Sequence, residues 1–262
     1  MRAERLIVAA IVFSAPPLAA APGASACPIT ATETVGVVEV VDGDTLRTDA
    51  GDTLHLAGIE AAKAGQFAAD WARAAADRTR GLMGGGTVGI TATGFGADRY
   101  GRRHVHAFGA DGSWIQGDLV AAGLARVRTF LVEDPCFPAL LAAESRARSA
   151  GKGLWSDPKT AVRAADDSSL SGRNGLYEII EGRVLSVGHG SSMIFLDFGR
   201  DYRRDFTVMV PKKLVDRFAE YGLILDDLVG ERVRVRGVVE ESGGPAIRVN
   251  HPAVIEVLDK RS

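Results

Sequence analysis

Apolar and polar positions alternate in short runs over the first third of the chain. Val35–Val41, Thr45–Arg47 and Thr53–Leu56 read as strands, and Asp49-Ala50-Gly51-Asp52 joins the last two as a hairpin, because Gly and Asp accept positive φ. The period then changes. Phe67, Trp71, Ala74, Ala75, Arg78 and Leu82 recur at three to four residues, which predicts a helix over Gly65–Leu82 that stops at Gly84-Gly85-Gly86. Thr87–Thr93 and His104–Phe108 return to strand patterning around a loop at 94–103. Asp111-Gly112 marks a turn, and Trp114–Ala122 is a short helix ended by Gly123. Ala125–Phe130 is a final strand, and Pro138–Gly151 a helix with Leu140, Leu141 and Ala147 inward.

Beyond this point the pattern lapses. Asp157–Asn174 is polar, charged and Ser-rich, and reads as a linker, so the domains fall at 27–158 and 175–262 with 159–174 between them. The second domain alternates again at Tyr177–Val187, Met193–Phe198 and Phe206–Val210. Pro211 then starts a helix through Tyr221. Glu231–Glu240 is the strongest period-2 strand of the chain, and Ala246–Val249 and Ile255–Leu258 close the unit. Strand–strand–strand–helix–strand–strand is the order of a small OB-like β-barrel, with an SH3-like barrel as the alternative. The fold class is therefore mainly β with helices, α+β.

Charge narrows the choice of function. Residues 27–156 carry 13 Lys and Arg against 15 Asp and Glu, and residues 175–262 carry 13 against 14. Neither half has the basic excess that gives strong, non-specific attraction to nucleic acid, which leaves a local basic groove as the remaining route. Arg200-Asp201-Tyr202-Arg203-Arg204-Asp205-Phe206 mixes basic and aromatic residues as single-strand-binding faces do, but its aspartates dilute the field.

Met1–Ala26 has the layout of a secretory leader: Arg2 and Arg5, an apolar run at Leu6–Phe13, and the small residues Ala24-Ser25-Ala26. The apolar run is too short to span a bilayer, so the mature chain is expected to lack a transmembrane segment. Export to a periplasm or to the medium is the expectation. Two cysteines remain, Cys27 and Cys136. An even pair in an oxidising compartment reads as one disulfide. Lipidation of Cys27 is the competing reading. It is disfavoured because Ala24 stands where lipid-anchored chains carry Leu, and because it leaves Cys136 unused.

Five segments, in order, carry a resemblance. They are Val-Val-Asp-Gly-Asp-Thr-Leu at 40–46, Leu-Ala-Gly-Ile-Glu-Ala at 56–61, Asp-Arg-Tyr-Gly-Arg at 98–102, Gly-Leu-Ala-Arg-Val at 123–127, and Glu144 to Trp155. Over roughly Thr34 to Pro158 the chain resembles the thermonuclease, or staphylococcal nuclease-like, family. The resemblance implies a five-stranded OB barrel with helices packed on it. It also implies calcium-dependent cleavage of phosphodiesters, in which carboxylates hold the metal, two arginines stabilise the phosphate and a glutamate acts on water.

Carried over position by position, the resemblance implies that Asp44 is the first metal carboxylate and that Glu60, one methylene longer than the family's aspartate, is the second. Arg102 matches the second catalytic arginine. Arg99 and Tyr100 resemble residues that contact a terminal phosphate. Phe130 stands near the nucleotide-stacking tyrosines. Two positions depart. His55 replaces the first arginine and lacks its planar fork. Lys63 replaces the catalytic glutamate, and its charge opposes calcium. Three functional readings follow: a degenerate site that binds nucleic acid or an envelope protein, a calcium-dependent nuclease rebuilt around His55 and Glu60, or a structural envelope module.

Overall fold

Strand β1 (Glu33–Asp42) serves two neighbours along its length. Its first half, Glu33–Gly36, pairs with residues 87–90, and its second half, from Val37, pairs with residues 45–48. The second pairing shifts register between Val37 and Glu39 and again between Val40 and Asp42. Such bulges bend and twist a strand, which is what closing a small sheet on itself requires. The computed structural model describes residues 27–65, 69–128, 134–201 and 203–258. The leader-like segment 1–26, Phe67, Phe130 and Tyr202 lie outside the described residues.

The other elements of the first unit are β2 (Thr45–Thr48), β3 (Thr53–Leu56), β4 (Ile59–Ala61), α1 (Ala69–Met83), β5 (Thr87–Ala92), β6 (Arg103–Phe108), α2 (Ile115–Ala121), β7 (Ala125–Val127) and α3 (Phe137–Ser149). Strands β1-β2-β3-β6-β5 form a closed barrel, as expected. Only β3 and β6 run parallel among its pairs. Leu46, Leu54, Leu56, Ile90 and Val105 fill it, all at 0% exposure. Each such side chain contributes about 1.5–3 kcal/mol relative to leaving it in water. Helix α1 turns Ala75, Thr79 and Met83 inward at four-residue spacing. Strand β4, which the hydrophobic pattern did not separate from the loop after β3, pairs with β7 outside the barrel. The described part of β7 is shorter than the expected strand.

The segment between the two barrel-like sequence blocks is built into the structure. It carries β8 (Arg163–Ala164), which pairs with β9 (Tyr177–Arg183), and Leu170 sits in the second core at 1% exposure. Isolated apolar residues in a polar stretch give no periodicity, which is why the segment reads as a linker. The second β unit continues with β10 (Ser186–His189), β11 (Met193–Asp197), β12 (Thr207–Pro211), α4 (Val215–Glu220), β13 (Arg232–Glu241), β14 (Pro245–Arg248) and β15 (Ile255–Val257). Its sheet order is β10-β11-β12-β14-β13-β9-β8, with β15 also on β13.

A buried ion network joins the two units. Arg236 of β13, 1% exposed, donates to Glu144 of α3 at 2.8 Å and to Glu256 of β15 at 2.6 Å. The hydroxyl of Tyr177 donates to the Val127 carbonyl at 3.0 Å. Cys27 and Cys136 are joined by a disulfide, which ties the start of the described chain to the residue before α3.

Candidate functional site

The turn between β1 and β2 is held from two sides. Gly43 lies so close to α1 and β4 that a Cβ would stand 2.6 Å from the Ala75 Cβ and 2.7 Å from the Ala61 Cβ. The Thr79 hydroxyl donates to the Gly43 carbonyl at 2.8 Å. This packing buries Asp44 completely. Its Oδ2 accepts the Ala61 N–H at 2.7 Å, and its Oδ1 accepts the Thr45 hydroxyl at 2.9 Å. Asp42 folds back to accept the Asp44 N–H at 3.0 Å.

Lys63 closes this niche. Its Nζ donates to Asp42 Oδ2 at 2.9 Å and to Asp44 Oδ1 at 3.0 Å. Burial works against the ammonium, but the Asp44 and Asp42 carboxylates outweigh it and raise the Lys63 pKa above the ordinary lysine value. Burial likewise opposes charge on Asp44, yet the neighbouring His55, followed by Lys63, holds its pKa far below the usual carboxylate range. The His55 Nδ1 stands 3.4 Å from Asp44 Oδ1.

His55 and His104 are register partners across the parallel β3–β6 pair. Their rings meet edge to face, with centroids 5.1 Å apart. Burial, then the neighbouring His55, lowers the His104 pKa against the opposing pull of Asp98. The His104 Nε2 lies 3.7 Å from Asp98 Oδ2. Asp98 in turn organises the loop before β6. It accepts the backbone N–H groups of Tyr100 at 2.8 Å and Arg102 at 3.0 Å, and the Arg102 Nε at 2.8 Å. Burial opposes its charge, but these bonds bring its pKa down to about 2. Arg99 donates to the Tyr100 hydroxyl at 2.6 Å, and both Arg99 and Arg102 sit over the Tyr100 ring, which is 66% exposed.

A continuous polar line therefore runs Lys63–Asp44–His55–His104–Asp98–Arg102, with a cation at each end. Asp42, Asp44, His55, Lys63 and Arg102 come together in it. Glu60 takes different partners. On β4 it stands opposite Arg126 of β7, accepts Arg126 Nη2 at 2.6 Å and also pairs with Arg128. Both guanidinium groups lie 5.0 Å over the Tyr177 ring of the second unit. Burial pushes the Tyr177 hydroxyl up to about 12.

Sequence reasoning did not single out His104, nor the Arg126–Arg128 clamp on Glu60. Alternation along β6 gives the face on which His104 stands, but the parallel pairing that sets it opposite His55 follows from the closed barrel. Among the described residues, Asp42, Asp44 and Glu60 do not gather into a three-ligand group. A calcium ion between Asp42 and Asp44 would compete with the Lys63 ammonium and would lack Glu60. The residues present do not fit that ion.

The model of the staphylococcal nuclease homologue family matches residues 53–157, from β3 to the turn after α3. Proteins named uncharacterized endonuclease, from Escherichia coli O157:H7 and from Escherichia coli, are 36% identical to this chain over 124 residues, covering 46% of it and 76% of each relative. The chain belongs to the staphylococcal nuclease homologue family. The matched segment contains His55, Lys63 and Arg102. The matched segment also contains Glu60 and both of its arginine partners. Among the described residues no helix is long and apolar enough to cross a membrane.

Proposed function

We propose that the nuclease-family barrel of this protein binds phosphodiester chains without calcium and no longer hydrolyses them efficiently. One observation carries the reading: Lys63 bridges Asp42 and Asp44 in the acidic niche, with Nζ 2.9 and 3.0 Å from their oxygens. A fixed ammonium supplies positive charge there but neither a Lewis acid nor a carboxylate base. The Arg102 loop remains, with Arg99 and Tyr100 exposed beside it. It offers a guanidinium and an aromatic face to a single strand. The same site, with Lys63 at one end and Arg102 at the other, favours an anionic chain over an acidic protein surface. The leader-like start and the disulfide support an exported protein.

The test is cleavage and binding of denatured DNA by the wild-type protein, Arg102→Ala and Lys63→Glu, with calcium and with chelator. Expected are no calcium-dependent cleavage by the wild type, and salt-sensitive oligonucleotide binding weakened in Arg102→Ala. Calcium-stimulated cleavage that requires Arg102 overturns the reading. Absence of oligonucleotide binding by a folded wild-type protein shifts the partner to an envelope protein.

A further inference from the structure

A second cluster of ligating side chains lies away from this site, beside the disulfide. Cys27, Cys136 and His106 each bring one ligand atom to within 4.8 Å of the others. Cys136 is completely buried and His106 is 2% exposed. Asp134 stands behind the imidazole, its Oδ1 3.1 Å from His106 Nε2 and accepting the Cys136 N–H at 2.9 Å.

In the oxidised state these polar groups are poorly served. Asp134 Oδ2 is buried without a hydrogen-bond partner, while His106 Nε2 faces Asp134 Oδ1 and His106 Nδ1 lies 3.4 Å from Gln116 Nε2. A buried polar atom left in this way costs about 1–3 kcal/mol. A disulfide offers neither a strong donor nor a strong acceptor to repair it. Two thiolates and an imidazole are, in contrast, a zinc donor set, and a carboxylate behind the histidine is the arrangement that orients metal-bound imidazoles. Tetrahedral zinc, with bonds of about 2.0–2.3 Å, sets its ligand atoms roughly 3.3–3.8 Å apart, so the two sulfurs, bonded to each other here, must move apart on reduction to reach that spacing. Access exists as well. Cys27 is half-buried and lines an open cleft of about 520 Å³, shared with Trp114, whose ring lies 5.9 Å from that of His106.

We propose that Cys27, Cys136 and His106 form a zinc site when the disulfide is reduced, with Asp134 as the residue that positions His106 and the cleft side left for a fourth ligand. A dithiol reductant supplies two electrons and two protons and leaves as its own disulfide. The S–S bond breaks to two thiols, which release two protons to solvent as zinc binds. Zinc and disulfide exclude each other because both use the same sulfurs.

The experiment reduces the full chain anaerobically with a dithiol, removes the reductant, and titrates cobalt(II) as an optical probe, then zinc as a competitor. Thermal unfolding is followed in parallel. Expected are one equivalent of cobalt with thiolate charge-transfer absorption and tetrahedral ligand-field bands, bleaching by zinc, and a zinc-dependent rise in Tm of the reduced protein alone. Affinity should fall about 10–100-fold in Asp134→Asn and further in His106→Ala. No stoichiometric uptake by the reduced wild type overturns the proposal. Uptake that is equal in the oxidised protein or in His106→Ala also overturns it, as does a reduced protein that is unfolded and that zinc does not refold.

Discussion

The Lys63 Nζ lies 3.0 Å from Asp44 Oδ1, and Asp44 is completely buried. A carboxylate that family resemblance marks for calcium is here neutralised by a side chain of the same molecule, 19 residues along the chain. Neighbouring His55 and the Ala61 N–H complete its shell. The charge of Asp44 is thus compensated by the fold itself.

Replacing Lys63 should expose that dependence. Lys63→Met leaves Asp44 buried with one cation fewer, and is expected to lower stability by about 1–3 kcal/mol, discounted from a fully buried pair because the Lys63 side chain is 33% exposed. Urea unfolding of the two proteins at neutral pH measures it. Lys63→Glu should be less stable still in chelator, and a calcium-dependent rise in its Tm is expected, because three carboxylates then face one another.

Acid should weaken the site in a defined window. Asp44 and Asp98 both have folded pKa values below those of free aspartate, with Asp98 down at about 2. A depressed folded pKa contributes stability that is fully present above the unfolded value, about 3.9, and is lost as pH falls through the folded one. The urea midpoint should therefore hold from neutral pH to about 5 and fall between about 4 and 2. Asp98→Asn should flatten part of that fall.

Gly43 is set by space. A methyl there would stand 2.6 Å from the Ala75 Cβ and 2.7 Å from the Ala61 Cβ. Gly43→Ala is expected to cost about 1–3 kcal/mol by pushing α1 off the turn, read as a lower Tm. The same displacement should weaken the Thr79 hydrogen bond and loosen Asp44.

The contact between the two units is testable through Arg236. It is 1% exposed and held by Glu144 and Glu256. Arg236→Ala leaves Glu144 buried with a partner lost and should cost about 3–5 kcal/mol. Unfolding followed by tryptophan fluorescence should then separate from unfolding followed by far-ultraviolet circular dichroism, because all three tryptophans, Trp71, Trp114 and Trp155, belong to the first unit and its end.

Several elements were legible in the sequence because they depend on local rules. The alternation at Glu231–Glu240 became β13, Arg232–Glu241, and the three-to-four spacing after Gly65 became α1, Ala69–Met83. Other features were not legible. The stretch Tyr177–Val187 reads as one strand, but it divides into β9 and β10 around Val184 and Leu185, because β9 follows β13 while β10 follows β11. Pro211–Tyr221 begins as a short 3-10 turn before α4, a difference of hydrogen-bond register that composition does not encode.

By itself the sequence determined most of the strand and helix order, the Asp42-Gly43-Asp44 turn and the loop that carries Arg102, since each is a matter of residue type and spacing. Only the tertiary structure decided what those residues meet. Lys63 turns toward Asp42 and Asp44, His55 meets His104 through the parallel β3–β6 pair, and Glu60 is taken by Arg126 and Arg128 beneath Tyr177. A buried charge pairs with whichever opposite charge the packed chain brings within hydrogen-bond distance, and for Glu60 those partners lie 66 and 68 residues away. Periodicity gives the face on which a side chain stands. The partner on the other side of that face is set by chain closure and domain packing.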